Sequence, residues 1–88
     1  MLNVIIEAVV LANEGDRVLV ARNVDEAKYK TLDFTTVNWF KEDLDLCCYH
    51  YYNLEKFEVG DRVKITTNGI EIRSFPPQAN AIRITKVQ

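Results

Sequence analysis

Residues 43–50, DLDLCCYH, hold the side-chain types used in metal and nucleophile chemistry: Asp43, Asp45, Cys47, Cys48 and His50. A zinc site needs four ligands converging on a tetrahedron. Read as a strand, this segment places Cys48 and His50 on one face and sends Cys47 to the other, and the chain has a single histidine. No metal site is therefore expected; a buried thiol and a half-buried imidazole explain the same residues. A Cys48–His50 nucleophile and base pair would lack a third group to orient the base. Ser74, the one serine, sits beside the prolines without a glycine elbow. The carboxylates Glu42, Asp43 and Asp45 form a charge run beside a turn and read as a solvated face rather than an acid–base pair. Gly15, Gly60 and Gly69 are too scattered to cradle a phosphate. The expectation is a protein with no cofactor and no catalytic activity.

Binding is the chemistry that remains. Aromatic side chains gather at Trp39, Phe40, Tyr49, Tyr51 and Tyr52, and Arg22, Lys28, Lys30 and Lys41 can place charge near them. Rings on a sheet face stack on bases or sugars. Tyrosine also suits a protein interface, where it buries area while keeping a polar tip. A domain this small needs some of the same rings for its core. The candidate partner-binding residues are Trp39, Tyr49, Tyr51, Tyr52, Arg22 and Lys41. Three readings follow. The first is a protein–protein interaction module with a tyrosine-rich surface. The second is an inhibitor of the phage type, with Glu42, Asp43, Asp45 and the tyrosines in a partner's basic groove. The third is a binder of single-stranded nucleic acid or oligosaccharide.

These residues must be positioned by strands. Short runs rich in Val, Ile, Thr, Tyr and Phe alternate with turn chemistry, the pattern of a mostly β domain. Strands are expected at 3–12 and 17–24, joined by a hairpin loop at Asn13-Glu14-Gly15-Asp16. In the second strand Val18, Val20 and Arg22 share one face while Leu19 and Ala21 share the other, so both faces are apolar, as in a small closed barrel. A short helix is expected at 25–30. Residues 31–40 read as a strand with a bulge near Thr35-Thr36 that moves the apolar phase from Leu32 and Phe34 to Val37 and Trp39. Residues 40–54 fit helical spacing at Phe40, Leu44, Cys47, Tyr51 and Leu54, but the aromatics of CCYHYY favour a strand at 44–52.

Val59-Gly60-Asp61 turns the chain into a strand at 62–67, and Asn68-Gly69 predicts a two-residue hairpin. The last strand is expected at 80–87, with Ile82 and Ile84 on one face. Pro76 and Pro77 cannot donate to a ladder and must interrupt the sheet, redirecting the last strand to a new partner, for which the first strand is the expected choice. Gln78 carries donor and acceptor groups suited to the backbone left unpaired by the prolines.

Bulk properties agree. With 88 residues the chain is one domain, and 48% hydrophobic with 27% charged residues is a globular mix rather than a disordered one. A net charge of −2 and a pI near 5.3 weigh against nucleic acid, whose binders must offset phosphate charge. The opening NVIIEAVVLA has no cationic segment before it and carries Glu7, unlike a signal peptide, and is too short to span a membrane. Adjacent cysteines do not make a disulfide framework. A cytoplasmic protein is expected, or a secreted or surface-anchored one if a leader has been removed, and a monomer or weak homodimer formed through edge strands.

Phe57-Glu58-Val59-Gly60-Asp61-Arg62-Val63, Asn68-Gly69-Ile70 and Ser74-Phe75-Pro76-Pro77-Gln78-Ala79 together resemble the YobA-like family of small domains in Gram-positive bacteria. Gly15-Asp16-Arg17-Val18-Leu19-Val20 resembles that family's second strand, and Val37-Asn38-Trp39-Phe40 its aromatic segment. The resemblance implies a small five-stranded β-barrel of the oligonucleotide/oligosaccharide-binding (OB) type with one short helix. It supplies no catalytic residues. Many relatives look like lipoproteins or secreted proteins, from which the opening of this chain departs.

Overall fold

The computed structural model describes residues 3–35, 39 and 43–87. Among these residues are five strands and one α-helix: β1 (Val4–Asn13), β2 (Arg17–Arg22), α1 (Glu26–Thr31), β3 (Asp45–His50), β4 (Arg62–Ile72) and β5 (Gln78–Lys86). The strands close into a barrel in the order β1-β2-β3-β5-β4, with β4 returning to β1. All neighbours are antiparallel except β3 and β5, which run parallel. The mostly β architecture, the closed five-stranded barrel and the short helix are those expected. The strand assignment for 44–52 also holds, since β3 spans Asp45–His50.

Local chemistry sets the element ends. The loop between β1 and β2 is held by Asn13, whose Oδ1 accepts from Gly15 N at 2.9 Å while its Nδ2 donates to the carbonyls of Leu54 and Phe57. Helix α1 starts at Asp25, whose carboxylate caps Lys28 N at 2.7 Å, and stops at extended Leu32. Gly60 has φ +93° and its N–H donates to Val10 O, tying the turn before β4 to β1.

Two apolar clusters lie on the two sides of the barrel wall. Inside are Val10, Val18, Val20, Tyr49, Val63 and Ile65, with others. Outside, Val9, Leu11, Ala21 and Leu46 are covered by Trp39 and by Tyr29, Leu32, Phe34 and Leu44. Tyr29 donates to Gly60 O at 2.8 Å, and the rings of Tyr29, Phe34 and Trp39 form a chain with 5.9 Å centroid spacings. The two-sided apolar pattern of β2 thus reflects a core on each side: Val18 and Val20 face inward, Ala21 outward.

Several local expectations are corrected. No strand forms in the described part of 31–40: Thr31 ends α1, and Leu32 and Phe34 alternate because both lean on the outer cluster from a turn. The bulge proposed at Thr35-Thr36 falls partly on Thr36, and Val37, Phe40, Lys41 and Glu42 also lie outside the described residues. Asn68-Gly69 does not reverse the chain. It sits within β4 at a register shift between Thr67 and Glu71. Asn68 Oδ1 accepts from Ile70 N and Thr67 Oγ1 from Gly69 N, so the left-handed glycine (φ +83°) absorbs extra residues without a turn. Reversal occurs instead at 73–77, where the Phe75–Pro76 peptide is cis.

The last strand pairs with β4 and β3, not with β1. Pro77 ends the interruption and offers its carbonyl to Cys48 N at 2.8 Å, which docks β5 beside β3. Ile82 and Ile84 do not share a face. A bulge between Arg83 and Ala81 in the pairing to β4 turns Ile82 to solvent while Ile84 enters the core.

Burial raises the Cys47 thiol to about 11 and the Tyr49 phenol to about 12. Each is an acid whose neutral form the folded state favours. Their contribution is complete below the ordinary values of 9.0 and 10.0 and is lost as pH rises through 11 and 12. The urea midpoint is therefore expected to hold steady up to about pH 9 and fall progressively to about pH 12. Tyr49→Phe should flatten the upper part of that fall; an unchanged pH profile would contradict the placement of the phenol inside.

Candidate binding groove

The structure divides the sequence-derived candidates. Tyr49 is 0% exposed inside the barrel and Trp39 is buried in the outer cluster. Neither can meet a ligand, because strand alternation from Cys47 carries Tyr49 inward and the α1 segment covers Trp39. Tyr51 is half-buried against the inner core. Its ring lies 4.8 Å from that of Tyr52, which is 88% exposed. Of the three tyrosines, Tyr52 alone presents a whole ring to solvent.

Arg22 closes one end of the barrel. It donates to Asp45 Oδ1 and Glu71 Oε2, both at 2.8 Å, and to Tyr49 Oη at 3.4 Å. Burial opposes its charge, but these acceptors outweigh it and hold the guanidinium firmly protonated. A cleft of about 610 Å³ lies beside this network and is lined by Lys28, Asp25 and Asp43 as well. Both terminal nitrogens of Arg22 are engaged by these acceptors, while its Nε is buried without a hydrogen-bond partner among the described residues. Asp45, one of the three carboxylates of the inhibitor reading, is committed to Arg22.

A different surface is built for contact. On the outward face of β2 and β3, half-buried Leu19 at the margin of the outer cluster and buried Cys48 form the floor of a depression. Here a groove of about 350 Å³ runs between Glu14 of the β1–β2 loop with Arg17 at the start of β2 and the β4–β5 loop (Phe75, Pro76). A second groove of about 300 Å³ lies under the far part of β4, lined by Ile70, Ile72, His50 and Asn80. Gln78 borders both. Its side chain does not serve the proline-interrupted backbone as expected. The His50 ring N–H donates to Gln78 Oε1 at 2.9 Å, and this bond forms the ridge between the grooves. Phe75 is 77% exposed, and Ile70 and Ile72 are each 69% exposed.

The alternation of β3 also decides the chemistry of the thiols. Cys47 points inward and Cys48 outward to the groove, and both are free and buried. Burial raises the Cys48 thiol as well, with Arg17 opposing the shift, so it is held as a poor nucleophile. Among the described residues no three His, Cys, Asp or Glu side chains converge as metal ligands, and no helix is long and apolar enough to cross a membrane. Arg17, the cation nearest the groove floor, is paired with Glu14 at 2.6 Å.

Sequence reasoning missed the groove, although its residues were in view. Pro76 and Pro77 predict the interruption of the sheet and no contact role for Phe75; the signal for one is a phenylalanine placed in a proline loop, where its ring is 77% exposed. Ile70 and Ile72 gave no signal, because a hairpin at Asn68-Gly69 would carry them back along the sheet, whereas they continue β4.

No family model and no curated protein matches the chain. Among solved structures, a yobA protein from Bacillus subtilis subsp. subtilis str. 168 is similar over 98% of this chain and 96% of that one, with a TM-score of 0.71 and 11% sequence identity. At that identity the likeness shows the fold: a YobA-like closed β-barrel.

Proposed function

We propose that this chain is a non-enzymatic binding module of the OB type, related to the YobA-like family, that takes a segment of a protein partner in the paired grooves around Gln78. The strand order β1-β2-β3-β5-β4 supports the OB reading. So does the place of the first groove, between the β1–β2 and β4–β5 loops over the outward face of β2 and β3, where OB barrels take ligands. The carrying observation is the grouping of Ile70, Ile72 and Phe75, all more than two-thirds exposed, around one hydrogen-bonded ridge. Exposed apolar side chains gathered at a concave site mark an interaction surface. The lining favours protein over nucleic acid: its arginine is neutralised by Glu14, and it offers one large ring rather than a row of stacking platforms. Two unpaired, buried thiols suit a reducing compartment, and a cytoplasmic location is part of the proposal.

The test is affinity fractionation from the source cell with wild-type and Phe75→Asp baits, each partner quantified by isotope ratio. A stoichiometric partner depleted by about tenfold or more with the variant is expected. Equal recovery with both baits, or a salt-sensitive shift of a labelled single-stranded oligonucleotide that Phe75→Asp abolishes, would contradict it.

A further inference from the structure

Charge is distributed unevenly along this chain, and the fold turns that into a surface. Residues 1–61 hold 6 basic and 12 acidic side chains, and residues 62–88 hold 5 basic and 1 acidic, giving −6 and +4, which sum to the net −2. The single acid of the second part, Glu71, is committed to Arg22. Of the five bases, Arg62 pairs with Glu26 and Lys86 with Asp61. Lys64, Arg73 and Arg83 have no carboxylate partner among the described residues.

The register places two of these three on one wall. Ile5 pairs with Thr66 and Thr66 with Arg83. One step along, Glu7 pairs with Lys64. These residues alternate with buried Ile65 and Ile84 and so face outward. The bulge in β5 adds Ile82 to the surface. Ile5 and Ile82 are 67% and 53% exposed. The result is an outward sheet face across β1, β4 and β5 with two cations that form no ion pair among the described residues, two exposed isoleucines, and Glu7 directly across the strand from Lys64.

We propose that this face docks an extended acidic segment of a protein partner, one whose carboxylates alternate with aliphatic side chains. The charge complement is the warrant. Lys64 and Arg83 call for carboxylates, while Ile5 and Ile82 call for aliphatic contacts between them. A nucleic-acid strand fits less well: the described residues of the face include no ring on which a base could stack, and two cations release few counterions. The proposal rests on the reading of the chain as a protein-binding module but uses a surface separate from the Gln78 grooves, so either can fail alone.

The probe is a capped synthetic peptide of about eight residues alternating Asp and Leu, titrated into ¹⁵N-labelled protein and followed by amide shifts. Its Lys/Leu counterpart and a short thymidine strand are the comparisons. Shifts at Ile5, Lys64, Thr66, Ile82 and Arg83 are expected. The apparent Kd should weaken by about fivefold or more between about 50 and about 500 mM salt. The double variant Lys64→Glu, Arg83→Glu should weaken it by about tenfold or more. Ile82→Ser, which keeps the charges, should weaken it by about threefold or more. Phe75→Asp should leave it unchanged. The proposal is overturned if the Asp/Leu peptide moves none of these amides at about millimolar concentration. It is equally overturned if the Lys/Leu peptide or the thymidine strand binds the face as well or better, or if concentrating the protein alone moves the same amides, which would make the occupant a second copy.

Discussion

Tyr49→Ala is expected to leave the domain largely unfolded at ordinary temperatures. The ring is fully buried at the centre of the inner cluster, among Val18, Val20 and Ile65, and its hydroxyl accepts from Arg22. Removing a buried aromatic side chain costs about 3–5 kcal/mol, part lost transfer and part residual cavity. A domain of this length has a total stability of order 5–10 kcal/mol, so one substitution removes a large share of it. Tyr49→Phe isolates the hydroxyl. The bond from Arg22 is long, at 3.4 Å, so this variant should cost about 1 kcal/mol or less. Tyr52→Ala, at an exposed ring, should stay within about 0.5 kcal/mol of wild type. Urea unfolding of the three variants checks the order. A mild Tyr49→Ala, comparable to Tyr52→Ala, would return Tyr49 to the surface and restore the tyrosine-rich interface.

The second large effect is on binding rather than folding. Ile72→Asp and Phe75→Asp place a carboxylate at the centre of the paired grooves, where contact with a partner would strip its water. Each should weaken partner binding by about 2 kcal/mol or more, roughly 30-fold. Both positions are exposed in the free protein, so unfolding midpoints should hardly change. This separation of affinity from stability is what a contact surface predicts. Isothermal titration with the captured partner, beside urea unfolding of the same samples, measures both. If stability falls with affinity, the residues belong to the fold and the grooves are not the interface.

These two predictions also show where the sequence was legible. The barrel could be read from strand-forming runs and turn residues, because apolar residues on both faces of β2 fit a strand lying between two cores, with Val18, Val20, Cys47 and Tyr49 lining the interior. The helix start could be read from Asp25. What could not be read were the register shifts. One extra residue at Leu11 and another at Ile82 change which side chains face out, and nothing local in Val10-Leu11-Ala12 or Ala81-Ile82-Arg83 announces them. The Asn68-Gly69 step failed for a related reason. Its local chemistry suits a turn and a bulge equally, and the choice is made by β5, which pairs on both sides of it. The aromatic candidates divided because strand alternation is certain only once the direction of the core is known. The same alternation that set Tyr51 beside Tyr49 in the sequence drew Tyr49 fully inside. Phe75 escaped notice because exposure is a property of the whole fold, visible only once the β4–β5 loop is placed at the rim of the groove.

Site-specific photo-crosslinking tests the central claim most directly. A benzophenone amino acid is placed in turn at Phe75, at Ile72 and, as a control on a distant turn, at Val59, which is also exposed. After irradiation in the source cell, positions 75 and 72 should give the same discrete protein adduct, and position 59 should not. An excess of unlabelled wild-type protein should suppress the adduct, while an excess of Phe75→Asp should not. Adducts of equal yield from all three positions, or one that Phe75→Asp suppresses as well as wild type does, would contradict the account.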